Sequence, residues 1–203
     1  MNQQTNIVVN GSFKIVKQLS VEFQIDESHA LKHSIEVFNF AKRIYNSELD
    51  KNPYLQNQYN IIVAAAILHD MCDHKYISEE QGIDKIRKLA IIFLTSEEID
   101  IIVQIITSMS YSKVKKYGYP DLGDFQTAYN IVREADLLAA YDIHRCILYS
   151  MYKSDKCYTD AVVIANNLFN IRVLNYRKER LFVTDCSKRL SKYLHYKALK
   201  QYE

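Results

Sequence analysis

The stretch Gln58-Tyr59-Asn60-Ile61-Ile62-Val63-Ala64-Ala65-Ala66-Ile67-Leu68-His69-Asp70-Met71 decides how this chain folds. It is apolar nearly all round from Ile61 to Leu68, which predicts a helix buried in the middle of a domain. Its run of alanines lets neighbouring helices approach closely. At its end stand a histidine and an aspartate. A buried His and Asp are costly to leave unpaired, so the pair needs a partner, and a metal ion is the commonest one. Adjacent residues point about 100° apart on a helix, so both reach one ion only near a helix end or a cavity wall.

Outward from this helix the same periodicity recurs. Phe13, Val16, Leu19 and Phe23 fit a short amphipathic helix. Asp26 reads as the N-cap of a long helix to about Leu49, with His33, Val37, Phe40, Ala41 and Ile44 on one face. Asn52-Pro53 breaks the chain. Ser78 with Gln81, and Thr95 with Glu98, read as capping boxes for two further helices. Ser108 to Asp124 reads as one extended loop, holding two of the four glycines and one of the two prolines. A helix is expected from Asp124 or Gln126 through Asp136 to about Tyr152. Two more follow, Asp160–Tyr176 and Thr184–Gln201. No strand alternation appears, so the expected fold is an all-α bundle.

At 203 residues the chain suits one domain, 1–203, with residues 1–12 as a loose polar arm. The Tyr, Ile, Lys and Asn bias is that of an AT-rich genome, as in some viruses, parasites and low-GC bacteria. Met1 to Gly11 lacks the apolar core of a signal peptide, and no apolar run reaches membrane-spanning length. Cys72, Cys146, Cys157 and Cys186 show no CxxC spacing. A reduced, cytoplasmic protein with no membrane partner is expected, a viral protein in a host cell included. From Arg172 to Glu203, nine basic residues face three acidic ones. A solvated helix face explains that run better than a nucleic-acid surface, which would show affinity falling steeply with salt.

Two potential ligands join His69 and Asp70: a histidine upstream, at His29 or His33, and Asp136 downstream. Two imidazoles and two carboxylates suit Mn²⁺, Fe²⁺, Co²⁺, Ni²⁺ or Zn²⁺, with Mg²⁺ also compatible. On an octahedral ion, four such ligands leave positions for water and a phosphate oxygen.

Three stretches resemble motifs of the HD-domain metal-dependent phosphohydrolases. Asp26-Glu27-Ser28-His29-Ala30-Leu31-Lys32-His33-Ser34-Ile35-Glu36-Val37 is similar to the HDxxHxxRV opening of one branch of that superfamily. Here Ala30 stands for the usual Asp and Glu36 for the Arg. His69-Asp70-Met71-Cys72-Asp73-His74-Lys75 resembles its HDxxDxK. Glu134-Ala135-Asp136-Leu137-Leu138-Ala139-Ala140 resembles its DADRLDA, with Glu134, Leu137 and Ala139 at the changed positions. The resemblance covers roughly residues 23–150. It implies an HD-like bundle with His33, His69, Asp70 and Asp136 on one metal, and His29 beside them as a substrate-binding residue. It implies Asp73 as the group that orients or deprotonates water and Lys75 as a phosphate neutraliser. Ser110, Ser112 and Lys113 become substrate contacts, because Ser-Tyr-Ser-Lys is similar to a loop of that branch. His74 is the only histidine between Asp70 and Asp136, whereas dinuclear members use more, which favours one metal. Arg145 is a candidate for the pocket or for the surface.

The implied activity is hydrolysis of a small phosphorylated metabolite, a nucleotide first. Release of phosphate from a monophosphate and of pyrophosphate from a triphosphate are both compatible. The alternative is a catalytically idle metal-binding module that holds nucleotide or a protein partner, motivated by the changed motif positions. Small HD proteins often dimerise, so a homodimer is compatible.

Overall fold

A computed structural model describes residues 2–200. Among these the regular structure is entirely helical. In chain order the helices are α1 (Gln3–Glu22), α2 (Leu31–Glu48), α3 (Tyr59–Leu68), α4 (Glu79–Ala90) and α5 (Ser96–Ser108). There follow α6 (Tyr111–Tyr117), α7 (Gln126–Ala139), α8 (Ile143–Lys153), α9 (Tyr158–Ile171) and α10 (Asp185–Lys200). Short 3₁₀ turns lie at Pro53–Gln58, Gly123–Phe125 and Val173–Asn175. No described helix is long and apolar enough to cross a membrane.

The apolar stretch is the axis of the bundle. Every residue from Ile61 to Leu68 is buried, and α3 packs against α1, α2, α5 and α7. Such an environment needs apolar side chains on all sides, which is what a helix without a polar face supplies. Of the two expected capping boxes, Thr95 and Glu98 form a complete one, whereas at Ser78 only half forms, its hydroxyl accepting from the Gln81 amide. All four cysteines are free; burial pushes the Cys72 thiol up to about 12, so it stays neutral and packs as a small hydrophobe.

Five expectations are corrected. Residues 3–12 are not a loose arm: α1 starts at Gln3, capped by Asn2, and buries Val8 and Val9. Its polar surface residues hide a face on which Thr5, Val8, Ser12 and Val16 recur, and Thr5 is hydrogen-bonded to Asn60 at the start of α3. Asp26 does not open α2. It caps a separate turn through the Ser28 amide, at 2.9 Å, and the helix begins at Leu31. The Ser108–Asp124 segment is not one loop, because Ser110 caps the short helix α6. The helix through Asp136 stops at Ala139, and Asp142 caps α8 as a new element. α9 ends at Ile171 rather than Tyr176, and α10 opens at Asp185. The expected end at Gln201 lies outside the described residues.

Gly82 locks α4 against the turn that follows His69-Asp70. A Cβ there would lie 2.6 Å from the Cys72 Cα and 2.8 Å from the Met71 carbonyl oxygen. Gly82→Ala should therefore lower stability by about 1–3 kcal/mol through overpacking, although alanine is the better helix former. A urea-unfolding midpoint equal to the parent's would mean that α4 shifts outward without cost.

Candidate metal centre

Three helices bring the four expected ligands together. His33 projects from α2, His69 is the C-cap residue of α3, Asp70 lies in the turn beyond it, and Asp136 projects from α7. The helix end resolves the 100° problem, since His69 and Asp70 diverge from the last turn and yet face one point. His33 Nε2 is 3.0 Å from His69 Nε2, 3.4 Å from Asp70 Oδ2 and 3.3 Å from Asp136 Oδ1. His69 Nε2 is 3.3 Å from Asp70 Oδ2 and 3.7 Å from Asp136 Oδ1. Both imidazoles are buried, while Asp70 and Asp136 border open space.

The protons of this cluster can be assigned from its contacts. His69 Nδ1 lies 2.9 Å from the Ala66 carbonyl, which only accepts, so Nδ1 carries a hydrogen. That bond aims Nε2 at the cluster, the arrangement in which metal-ligating histidines are held by a backbone carbonyl. Burial lowers the His33 pKa to about 4, aided by Arg145, so its ring is neutral. For His69 burial opposes the charge, but Asp70 and Asp136 outweigh it and raise the pKa to about 9. Burial also opposes ionisation of Asp70 and Asp136. Their histidine neighbours prevail and hold both carboxyls below the usual range. Without metal, one proton thus sits on His69 and is shared toward His33 and Asp70. His33 Nδ1 is buried with no hydrogen-bond partner.

The His33, His69 and Asp136 donors are of the types and spacing that could hold a divalent transition-metal ion. Two ligands held at about 2.0–2.2 Å from one ion lie about 2.8–3.6 Å apart, and the five separations above span 3.0–3.7 Å. The ligand atoms of His33, His69 and Asp136 all lie within 4.8 Å of one another and could hold a metal ion; Asp70 Oδ2 is close to both imidazoles but falls outside that mutually close group. Because an ion takes the His69 Nε2 lone pair, it must displace that proton. Between the His33 value of about 4 and the His69 value of about 9, one proton should leave per ion bound. Affinity should then rise about tenfold per pH unit from about pH 5 to about pH 8. Calorimetric Mn²⁺ titrations across that range check this, and a flat profile would show that His69 is not a ligand.

Around the cluster stands a ring of cations. Arg145, on α8, places Nη2 3.1 Å from Asp70 Oδ2 and Nη1 3.5 Å from Asp136 Oδ1, and its Nε donates to the Ser28 carbonyl. Lys75 Nζ bridges Asp73 Oδ2, at 3.0 Å, and His29 Nε2, at 3.1 Å. An ammonium only donates, so His29 Nε2 is the acceptor and its Nδ1–H faces Ser28 Oγ at 2.6 Å. Burial holds the His29 pKa well below its usual value. Tyr76 donates to Asp26 at 2.5 Å and packs against the His29 ring. His29 thus lies beside the cluster, joined to Lys75.

Two cavities open on the cluster, of about 210 and 360 Å³. Asp70, Asp73, Lys75, Ser110, Asp136 and Arg172 line both. The smaller continues past Arg145 to Cys146, Tyr149, Leu168, Val173 and Tyr176. The larger continues past Ser112 and Lys113 to Lys116. Lys113 reaches this wall tied to Glu79 and to the Thr107 carbonyl. Arg145 and Arg172 were the contributions hardest to see in the sequence. Arg145 depends on the break before α8, and Arg172 reads as one member of the basic C-terminal run. Asp142, as a helix-capping residue three positions before Arg145, was the available signal for the first.

Compared with known proteins, the chain matches no family model, no curated protein and no solved structure.

Proposed function

We propose that this protein is a metal-dependent phosphohydrolase acting on a small phosphorylated metabolite. Nucleotides are the substrate class, in the manner of a 5′-nucleotidase or a nucleoside triphosphate pyrophosphohydrolase. The observation that carries the reading is the convergence of two imidazoles and two carboxylates, from three helices, on a cavity floor rimmed by cations. The motif resemblance to HD-domain enzymes supports it from a separate direction. His33, His69, Asp70 and Asp136 would hold one divalent ion: Mn, Co, Ni, Fe or Zn, with Mg also compatible. Such an ion, when bound, lowers the pKa of water and polarises a phosphoryl oxygen.

The chain's own residues do the rest. Asp73 lines both cavities beside the cluster, in place to orient a water and take its proton. Lys75, held between Asp73 and His29, offers its ammonium to phosphate charge. Arg145 covers the flank of Asp70 and Asp136 and adds to the histidine neighbours that keep Asp136 ionised. Ser110, which lines both cavities and caps α6, offers its hydroxyl there.

A second reading has its own observation. Lys75 is paired with Asp73 and Lys113 with Glu79, so two of the expected phosphate cations are already neutralised. A metal-holding module without turnover would look this way. The test is a panel of nucleoside mono-, di- and triphosphates with Mn²⁺ or Co²⁺, resolving phosphate from pyrophosphate. Phosphate from monophosphates assigns a nucleotidase, and pyrophosphate from triphosphates a pyrophosphohydrolase. Silence across the panel, with metal bound, would favour the idle module.

A further inference from the structure

We propose that Arg172 anchors a second phosphoryl group of the substrate, so that the protein takes organic polyphosphates in preference to monophosphates. The inference rests on the phosphohydrolase reading and deepens it.

Most cations lining the site already face a carboxylate. Arg145 faces Asp70 and Asp136, Lys75 faces Asp73, and Lys113 faces Glu79. Arg172 lines both cavities and, among the described residues, forms no ion pair. It is nonetheless held in place. Its Nε donates to the Tyr176 hydroxyl at 3.0 Å, and its guanidinium lies over the Tyr111 ring, 4.6 Å from the centroid. Tyr111 is fixed in turn by its hydroxyl, which donates to Glu179 at 3.1 Å. The backbone contributes too: α9 stops at Ile171, and Arg172 leaves the helical conformation with φ −124° and ψ −70°. Neither described contact uses the two terminal nitrogens.

A guanidinium stacked on one face and tethered at Nε presents those nitrogens as a pre-set fork, the geometry that binds phosphate through two parallel hydrogen bonds. Holding it this way removes much of the side-chain entropy that a free arginine loses on binding. One phosphoryl group at the metal cluster already has Lys75 and Ser110 near it. Arg172 therefore adds recognition where a further anionic group would lie. The two cavities divide accordingly. Tyr149, Leu168 and Val173 make the smaller one suit an organic group, while Lys113, Lys116 and Ser112 make the larger one suit a phosphate chain.

The test is equilibrium binding to the full chain at fixed free Mn²⁺, using two non-hydrolysable ligands, the 5′-phosphonate analogue of AMP and the α,β-methylene analogue of ADP. The parent protein should bind the diphosphate analogue about tenfold more tightly than the monophosphate analogue. Arg172→Gln should weaken the diphosphate analogue about tenfold and the monophosphate analogue less than about twofold, with Mn²⁺ affinity unchanged. Arg172→Lys should recover only part, since it keeps the charge and loses the fork. Equal affinity for both ligands in the parent, equal weakening of both in Arg172→Gln, or no binding of either would overturn the proposal. Binding is read without turnover. A protein that prefers the diphosphate but hydrolyses nothing would fail as a phosphohydrolase and keep this subsite, and one that turns over monophosphates with no diphosphate preference would do the reverse.

Discussion

His69→Ala is expected to abolish metal binding and turnover together while leaving the bundle folded. The imidazole Nε2 lies 3.0–3.7 Å from every other donor atom described above, so it is the hub of the cluster. Loss of a residue that merely orients a ligand costs about 10–100-fold in metal affinity, and loss of a ligand should exceed that. The substitution removes the hydrogen bond to the Ala66 carbonyl and the one shared toward His33, both at a helix end where the chain is already leaving α3. Far-ultraviolet circular dichroism should therefore match the parent. Asp73→Asn is the informative contrast. It leaves the four ligands intact, so Mn²⁺ should bind as before, while turnover falls by about 10²–10⁴ if Asp73 handles the proton of the attacking water. Mn²⁺ titration and product release, measured on both variants, separate the two roles. A His69→Ala protein that still loads Mn²⁺ at parental affinity would sink the assignment of this cluster as the metal centre.

The largest effect on stability is expected at Glu134, away from the ligands. This buried carboxylate accepts from the amides of Val183 and Thr184 and from the Thr184 hydroxyl, at 2.5 Å for the last. Thr184 Oγ1 also accepts from the Ser187 amide, in the first turn of α10. Glu134 is therefore the clamp by which α7 holds the C-terminal helix. Glu134→Leu would strand the buried Thr184 amide and remove an acceptor from the Thr184 hydroxyl, which keeps Ser187 Oγ, and from the amide of half-exposed Val183; it should cost about 2–4 kcal/mol, at about 1–3 kcal/mol for a stranded donor. For a chain of this size that corresponds to a fall in Tm of about 10 °C. Glu134→Gln keeps one acceptor oxygen and should cost clearly less. Equal melting of Glu134→Leu and the parent would mean that water reaches Val183 and Thr184 once the carboxylate is gone. The motif resemblance aligns Glu134 with an acidic position of the HD pattern; in this fold its contacts are those of a docking residue.

Much of the architecture was legible because it is local. Helical periodicity, the Ser78 and Thr95 caps and the apolar run of α3 depend on residues within a few positions of one another. The errors arose where locality fails. Residues 3–12 are mostly polar, so their helix is apparent only once Val8 and Val9 have α3 to pack against. The breaks between α2 and the Asp26 turn, and between α7 and α8, carry no glycine or proline. They are set by where side chains from other helices must reach.

The same division runs through the site. The sequence by itself determined the all-helical class, the buried central helix and the residue types at its end, because a buried His and Asp have few affordable fates. Only the tertiary structure decided that Arg145 faces Asp70 and Asp136, that Lys113 is tied to Glu79, and that Arg172, held by Tyr176 and Tyr111, lines both cavities. Ligand identity follows from chemistry that a residue carries with it. The reach of a long cationic side chain follows from the angle and ending of its helix, and those are fixed by packing between segments far apart in the chain.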